Sequence, residues 1–331
     1  MNDRLPDAQW HGLVAPLLHL LLSCPYGTFT VSGALDSGSA MTVEEKALSG
    51  RTFTAVTGPW SRRDARQLKL SKTEELWLNY AHGFHEPTLD LLADLPPTIT
   101  RLHVIARWVT DLEPIYALGD RLRSLNLTTA AGTALDLTKL PQLTKIAAEW
   151  QQVEATIASA VQLQDVYVGH YQETDLTPLA VLSSLQRLTM KDLPSIKSLN
   201  GLENLTALTD LTIVLARYLS DIDELAGVVG SQLTSRNLDT CRRISDLAPI
   251  AHCTALTFLN LGNIGDVPSA GPLAALQQLV RLYLYESTRF EDGDLSPLLR
   301  LHRLEDLRLM NRRHYRPSVN EIEAALKAEH S

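Results

Sequence analysis

One apolar pattern returns along the chain: leucine, two variable positions, leucine, one variable position, leucine. It stands clearest at Leu256-Thr257-Phe258-Leu259-Asn260-Leu261 and recurs at Leu279 to Leu284 and at Leu304 to Leu309. Upstream it runs through Leu208-x-x-Leu211-x-Ile213, Leu185-x-x-Leu188-x-Met190, Leu163-x-x-Val166-x-Val168, Leu122-x-x-Leu125-x-Leu127 and Ile99-x-x-Leu102-x-Val104. The last positions of each hexad alternate with the period of a half-buried strand. A repeat of roughly 20 to 25 residues predicts coils that stack and line their strands into one parallel sheet. Strand cores at Leu76, Leu102, Leu125, Ile146, Val166, Leu188, Leu211, Arg236, Leu259, Leu282 and Leu307 predict about eleven coils.

The return limb of the coil has its own signature. Asp111-Leu112-Glu113-Pro114-Ile115, Asp175-Leu176-Thr177-Pro178-Leu179, Asp246-Leu247-Ala248-Pro249-Ile250 and Asp294-Leu295-Ser296-Pro297-Leu298 share it, with degenerate copies at Asp136-Leu137 and Asp221-Ile222. The expected structure is a helix start, with Thr177 or Ser296 as cap and proline at the first position, where its missing N–H costs nothing. The apolar residues beside the proline would close the coil against the strand.

Together these patterns predict an α/β fold: a leucine-rich repeat solenoid, or horseshoe, with a parallel concave sheet and a cap at each end. The DLxPL pentad beside the strand hexads resembles the internalin-like bacterial leucine-rich repeats over residues 73–310. That class commonly carries asparagine at the third position after the last strand leucine. Here those positions are Ala81, Arg107, Ala130, Gln151, Tyr171, Leu193, Ala216, Cys241, Ile264, Ser287 and Arg312. With no asparagine ladder, the coil corners must satisfy their backbone in another way.

The ends depart from the repeat. Residues 1–60 read as an α+β cap: a helix over Asp7 to Leu22, strands at Thr28 to Val31 and Thr52 to Val56, a turn region at Gly33 to Ala40, and a short helical piece at Glu44 to Leu48. Residues 61–310 hold the repeats, and 311–331 form a C-terminal helical cap in which Ser318 and Glu321 make a capping box. Pro317 stops the sheet, and Ile322, Ala325 and Leu326 would pack on the last coil. This tail also resembles, distantly, the ends of leucine-rich repeat sensor domains in bacterial NACHT-type NTPases.

Composition narrows the chemistry. A net charge of −8 disfavours nucleic acid and anionic membrane as partners. The three cysteines, Cys24, Cys241 and Cys253, lack framework spacing and point to a reducing, cytoplasmic setting. The apolar run Leu13 to Leu22 is too short for a membrane span and lacks a basic leader. Gly33 to Ser39 has glycines spaced like a phosphate loop but no lysine to reach phosphate. His82-Gly83-Phe84-His85-Glu86 lacks metalloprotease spacing, and His252, Cys253 and Cys241 read as coil positions. No catalytic residue, metal site or cofactor is expected.

The outward positions of the strands are the better guide. The position between the last two strand leucines gives Trp77, His103, Asn126, Ala147, Tyr167, Thr189, Thr212, Asn237, Asn260, Tyr283 and Arg308; the flanking row runs from Glu75 and Arg101 to Phe258, Arg281 and Asp306. Two patches stand out: Phe258, Asn260, Arg281, Tyr283, Tyr285 and Arg308 at one end, and Trp77, Arg101 and His103 at the other. Tyrosine, tryptophan and arginine dominate interface energies. The expected function is a non-enzymatic, monomeric module that binds a protein through its concave face. The alternatives are a sensor part of a NACHT-type NTPase system, as the tail resemblance implies, and an enzyme using the cap or the His82/His85 loop. A basic run at Arg300, Arg303, Arg308, Arg312, Arg313, His314 and Arg316 offers a place for phosphate or an acidic partner. Finally, Arg236 occupies a core position, so it is expected to pair with Asp239 or Asp210, or else to break the sheet locally.

Overall fold

Each leucine hexad supplies inward branched side chains and outward polar ones, which is what a strand with one dry face requires. The computed structural model describes residues 43–48 and 51–329. Its strands are β1 Val43–Leu48, β2 Arg51–Val56, β3 Glu75–Asn79, β4 Arg101–Ile105, β5 Ser124–Thr128, β6 Lys145–Glu149, β7 Asp165–Gly169, β8 Arg187–Lys191, β9 Asp210–Val214, β10 Ser235–Asp239, β11 Phe258–Asn260, β12 Asp266–Val267, β13 Arg281–Leu284, β14 Arg289–Phe290 and β15 Asp306–Leu309. The helices are α1 Arg62–Ser71, α2 Trp150–Val153, α3 Val228–Gln232 and α4 Val319–Glu329. Strands β1 to β11, β13 and β15 form one 13-stranded sheet in chain order, and β12 and β14 form a second, two-stranded one. All eleven expected strand cores lie in the large sheet, each paired in parallel with the next.

The N-terminal end differs from expectation. Glu44 to Leu48 is strand β1, antiparallel to β2, and not helix. The local preference of this stretch for helix yields to a ladder that β2 provides. Strand β2 in turn pairs in parallel with β3, so this part of the cap extends the sheet. Helix α1 was not foreseen; Ser61 and Asp64 form its capping box, Lys72 ends it in the left-handed region, and it buries Ala65 and Leu68. The expected helix at residues 7–22, the strand at 28–31, the turn at 33–40 and Cys24 lie outside the described residues.

The DLxPL segments are short 3-10 turns, such as Thr177–Leu179 and Ser296–Arg300, with proline in the first two positions. The cap is the aspartate, not Thr177 or Ser296. Asp111, Asp175, Asp246 and Asp294 each accept, through Oδ1, the backbone N–H two residues on, at 2.8–2.9 Å. An Asx turn of this kind starts the return limb where a hydroxyl two residues later arrives too late. Ile115, Leu179, Ile250 and Leu298 then enter the core fully buried.

The corners after β7 to β11 are carried by backbone bonds, with Asn79, Asn237 and Asn260 each adding a side-chain oxygen to the N–H two residues on. His170, Asp192, Leu215, Thr240, Asn263 and Glu286 all have φ between 50° and 63°. The left-handed turn aims the N–H of His170, Asp192, Leu215, Thr240 and Asn263 at a carbonyl of the following coil: Lys191, Val214, Asp239, Gly262 and Tyr285, at 2.9–3.1 Å. The ladder of the sheet thus continues around the corner, at a conformational cost to six non-glycine residues. Helix α4 follows the last strand and starts at a capping box: Glu321 accepts from Ser318 N and Oγ at 2.7 Å, with Ile322 and Leu326 buried and Ala325 half-buried.

Arg236 overturns its expectation. It is wholly buried, and strand β10 pairs regularly with both neighbours. None of its three guanidinium nitrogens has a hydrogen-bond partner. Strand alternation explains why: Arg236 points inward, whereas Asp210 and Asp239 sit on the outward-facing parity of the sheet. Asp239 is taken by Tyr285 and Thr240, and Asp210 lies beside Arg187 at 3.7 Å.

Candidate functional site

Register fixes the outward rows as anticipated. Glu75, Arg101, Ser124 and Lys145 pair in sequence along β3 to β6, and the row continues through Asp165, Arg187, Asp210, Ser235, Phe258 and Arg281 to Asp306. Trp77 to Arg308 form the adjacent row two residues on.

At the C-terminal end the structure brings the predicted residues together by ring geometry. Phe258 and Tyr283 meet edge to face with centroids 5.3 Å apart. The Arg281 guanidinium lies 5.2 Å above the Phe258 ring and that of Arg308 4.2 Å above Tyr283. Each is a cation held against the negative face of a ring. Tyr283 donates to Asp306 Oδ2 at 2.8 Å, and Arg308 reaches the same oxygen at 3.3 Å. Burial and this hydrogen bond raise the Tyr283 pKa. Phe258 is buried, Arg281 and Tyr283 are half-buried, and Arg308 is exposed.

Asn260 and Tyr285 belong to a different arrangement. Asn260 is buried; its amide donates to Asn237 Oδ1 at 3.1 Å and to the Tyr285 hydroxyl at 3.3 Å, and its oxygen accepts from Gly262 N at 2.8 Å. Tyr285 spans two coils to donate to Asp239. Gly262 leaves the space for this, since a Cβ there would stand 2.5 Å from the tyrosine Cζ. Burial and the bond to Asp239 push the Tyr285 hydroxyl up to about 12. These two side chains buttress the patch and present little of themselves. The signal for this was Gly262, placed where its neighbours carry side chains.

The centre of the face is self-neutralising. Asp165 holds both Lys145 and Arg187 at 2.8 Å, and Arg187 continues toward Asp210. Beyond β7, His170 sits between Glu149 at 2.6 Å and Asp192 at 3.1 Å, and the bond to Glu149 raises its pKa.

The N-terminal patch is likewise committed to itself. Trp77 is buried and stacks between Phe53, 4.1 Å away, and His103, 4.5 Å away. Glu75 gathers the polar atoms: it accepts from Trp77 Nε1 at 2.8 Å and Arg101 Nε at 3.0 Å, and lies 3.1 Å from His103 Nε2. Burial alone would raise the Glu75 carboxyl, but these bonds outweigh it and hold it at about 2. Glu75 stands in the expected flanking row but outside the expected patch, and Phe53 is outside both; Phe53 lies on β2, whose pairing with β3 no repeat announces.

The remaining candidates separate. His82 leans on Trp77 and Phe53, whereas His85 stacks on Trp108. Cys241 and Cys253 are free and buried, and burial pushes the Cys241 thiol up to about 12, the reverse of what a nucleophile needs. The basic run divides between elements. Arg300 ends a 3-10 turn of the return limb, Arg308 lies on the sheet, and Arg312 donates to the carbonyls of Glu286 and Thr288 at the coil corner.

A coil of strand, left-handed corner and Asx-started 3-10 turn, stacked into one sheet, is a leucine-rich repeat solenoid of α/β class. Solved structures with the same architecture include an internalin, inlF, from Listeria monocytogenes, at 23% identity and a TM-score of 0.52, covering 68% of this chain and 66% of that one. Internalin C2 from the same organism aligns at 27% identity over 66% of this chain and 84% of its own, with a TM-score of 0.41. InlJ, also from Listeria monocytogenes, aligns at 20% identity over 77% of this chain, with a TM-score of 0.41. The chain spans 66% of the length of inlF and 46% of that of InlJ. The likeness to inlF supports the fold and nothing beyond it. No protein-family model and no curated protein matches the sequence. Among the described residues no helix is long and apolar enough to cross a membrane.

Proposed function

We propose that the chain is a protein-binding scaffold, without catalytic activity of its own, that seats a partner on the concave face at its C-terminal end. One observation carries the reading. Of the cations in the flanking row, Arg101, Lys145 and Arg187 are each held by an acid, whereas no carboxylate lies within ion-pair distance of Arg281 among the described residues. Arg281 instead lies over the Phe258 ring, so its fork is oriented and available to a carboxylate; Arg308 lies over Tyr283 while also reaching Asp306. Met310, which directly follows the last strand, is 51% exposed and adds apolar area at the rim. An oriented guanidinium on an aromatic platform is the composition of an interface anchor. Phe258, Arg281, Tyr283 and Arg308 would make the contact, with Asn260 and Tyr285 as supports. Trp77, Arg101 and His103 form a secondary patch of lower standing, because their polar atoms already serve Glu75. Free buried thiols at Cys241 and Cys253 favour a reducing, cytoplasmic setting. Residues 1–60 and 311–331 act as caps in this reading, and the scaffold works as a monomer. No observation on the chain favours the NTPase-sensor reading.

The test is quantitative binding to a partner captured from the native cell. A Tyr283→Ala/Arg308→Ala double variant should weaken affinity by roughly 2 kcal/mol or more, about thirtyfold. A Lys145→Ala/Arg187→Ala variant at the centre should change it little. Equal affinity of wild type and the Tyr283/Arg308 variant moves the site elsewhere.

A further inference from the structure

A second surface lies outside the concave face, on the edge where the coils turn away from the sheet. The left-handed corners align Leu215, Thr240, Asn263 and Glu286 across four coils, because each of the first three donates to the coil after it. Two and three residues beyond these corners stand Arg217 and Tyr218 on one coil and Arg242 and Arg243 on the next. All four are exposed. Arg243 lies over the Tyr218 ring at 4.8 Å, and Arg242 is steered by Asn263 Oδ1 at 3.4 Å. Arg313 stands exposed at the corresponding edge after β15.

The charged groups at the centre of the sheet face neutralise one another, as described for Lys145, Asp165 and Arg187, and those of this edge do not. Among the described residues no carboxylate lies within ion-pair distance of Arg217, Arg242, Arg243 or Arg313, in a chain with eight more acidic than basic residues. Neighbouring coils are about 4.8 Å apart, so Arg217, Arg242 and Arg243 crowd like charge on two adjacent coils, while Asp266 on the next coil is taken by Arg289. Such crowding raises the local potential and favours an anion.

We propose that this arginine edge is a docking surface for an extended acidic protein segment, one that places Asp or Glu side chains against Arg217, Arg242 and Arg243. Planar forks match carboxylates two oxygens at a time. An extended peptide advances about 3.3 Å per residue, so alternate side chains stand about 6.6 Å apart, and the long arginine side chains take up the difference from the coil spacing of about 4.8 Å. Nucleic acid fits less well. Stacking on bases needs free ring faces, and the aromatic residue here, Tyr218, has Arg243 over one face. The surface is separate from the concave patch and stands or falls independently of it.

The test is fluorescence anisotropy of a labelled ten-residue peptide of alternating Glu and Ser, with the full chain, at 50 and 300 mM NaCl. Wild type should bind, and affinity should drop at least tenfold at the higher salt. Arg217→Ser/Arg242→Ser/Arg243→Ser should lose tenfold or more at 50 mM. Lys145→Ser/Arg187→Ser/Lys191→Ser removes the same charge elsewhere and should stay within twofold. The Arg217→Lys/Arg242→Lys/Arg243→Lys variant keeps charge and fold but not the forks, and should weaken binding at least threefold. Absence of wild-type binding at 50 mM, an equal loss in the two serine variants, an unaffected lysine variant, or tighter binding of a ten-nucleotide single-stranded RNA would each overturn the proposal.

Discussion

The sharpest consequence of the structure concerns Arg236, a cation in the core of the ninth-to-eleventh strand region with no partner for any of its nitrogens. Replacing it with leucine, the residue at the paired positions Leu211 and Leu259, conserves approximate volume and completes an apolar row. The magnitude follows from the cost of the charge. Burial pulls the Arg236 guanidinium from 12.5 down to about 10. At about 1.4 kcal/mol per pH unit, that is about 3 kcal/mol of native-state destabilisation at neutral pH. Exchanges of buried ions for apolar residues of similar size have gained about 1–4 kcal/mol, which brackets this value. The sign is set by linkage: a base whose native pKa is lowered binds fewer protons in the native than in the unfolded state at high pH. Wild-type stability should therefore gain on Arg236→Leu as pH rises through 10, while the difference is full at pH 7. Urea unfolding followed by far-ultraviolet circular dichroism is the assay. The midpoint of Arg236→Leu should rise with an unchanged slope. Arg236→Lys should not rise comparably, because it keeps the charge. A lower midpoint for Arg236→Leu would falsify the account and mean that the guanidinium has a partner worth more than its desolvation cost.

Three further expectations rest on single sites. Glu75 is held at about 2, so the stability it contributes is present above the ordinary carboxyl pKa and is lost as pH falls from about 4.5 through 2; acid titration of Glu75→Gln should show a shallower decline across that window than wild type, and an identical decline would remove Glu75 from its central role. Glu286 pays for a left-handed backbone at φ 59° while its side chain is exposed. Glu286→Gly should therefore raise the unfolding free energy by about 1 kcal/mol relative to Glu286→Ala, and equal unfolding free energies would mean the corner is unstrained. Gly262→Ala should be destabilising because its Cβ meets the Tyr285 ring at 2.5 Å. The same change in a Tyr285→Ala background should cost much less, and additive effects would refute the contact.

The repeat was legible because two periods coincide in it. Alternation within the hexad gives the face, and recurrence of the hexad gives the stacking partner, so the rows from Glu75 to Asp306 could be written down residue by residue and were met in the register. What alternation cannot tell is how a feature without a period is used. Strand β1 has no leucine hexad and looks helical locally, and only the presence of β2 decides otherwise. The DLxPL turn shows a related limit. Its proline stands second in the 3-10 turn and not first, and the capping oxygen comes from the aspartate, because a start two residues earlier decides the geometry.

The candidate site divides along the same line. Parity placed Phe258, Arg281, Tyr283 and Arg308 on one face, and their mutual ring and guanidinium contacts follow from adjacency of strands. Parity does not reveal reach. Tyr285 crosses two coils to Asp239 only because Gly262 has no side chain, a dependence on three coils at once. The Arg236 expectation erred for the opposite reason: Asp239 and Asp210 are near in sequence or register, but a sheet is a barrier between its two faces. A guanidinium on the inner side is closed off from carboxylates on the outer side however short the distance along the strand. The same barrier keeps the outward charges from being drawn into the core. They are left to pair among themselves along the centre of the face, and at Arg281, which no carboxylate reaches among the described residues, the face has a cation to offer a partner.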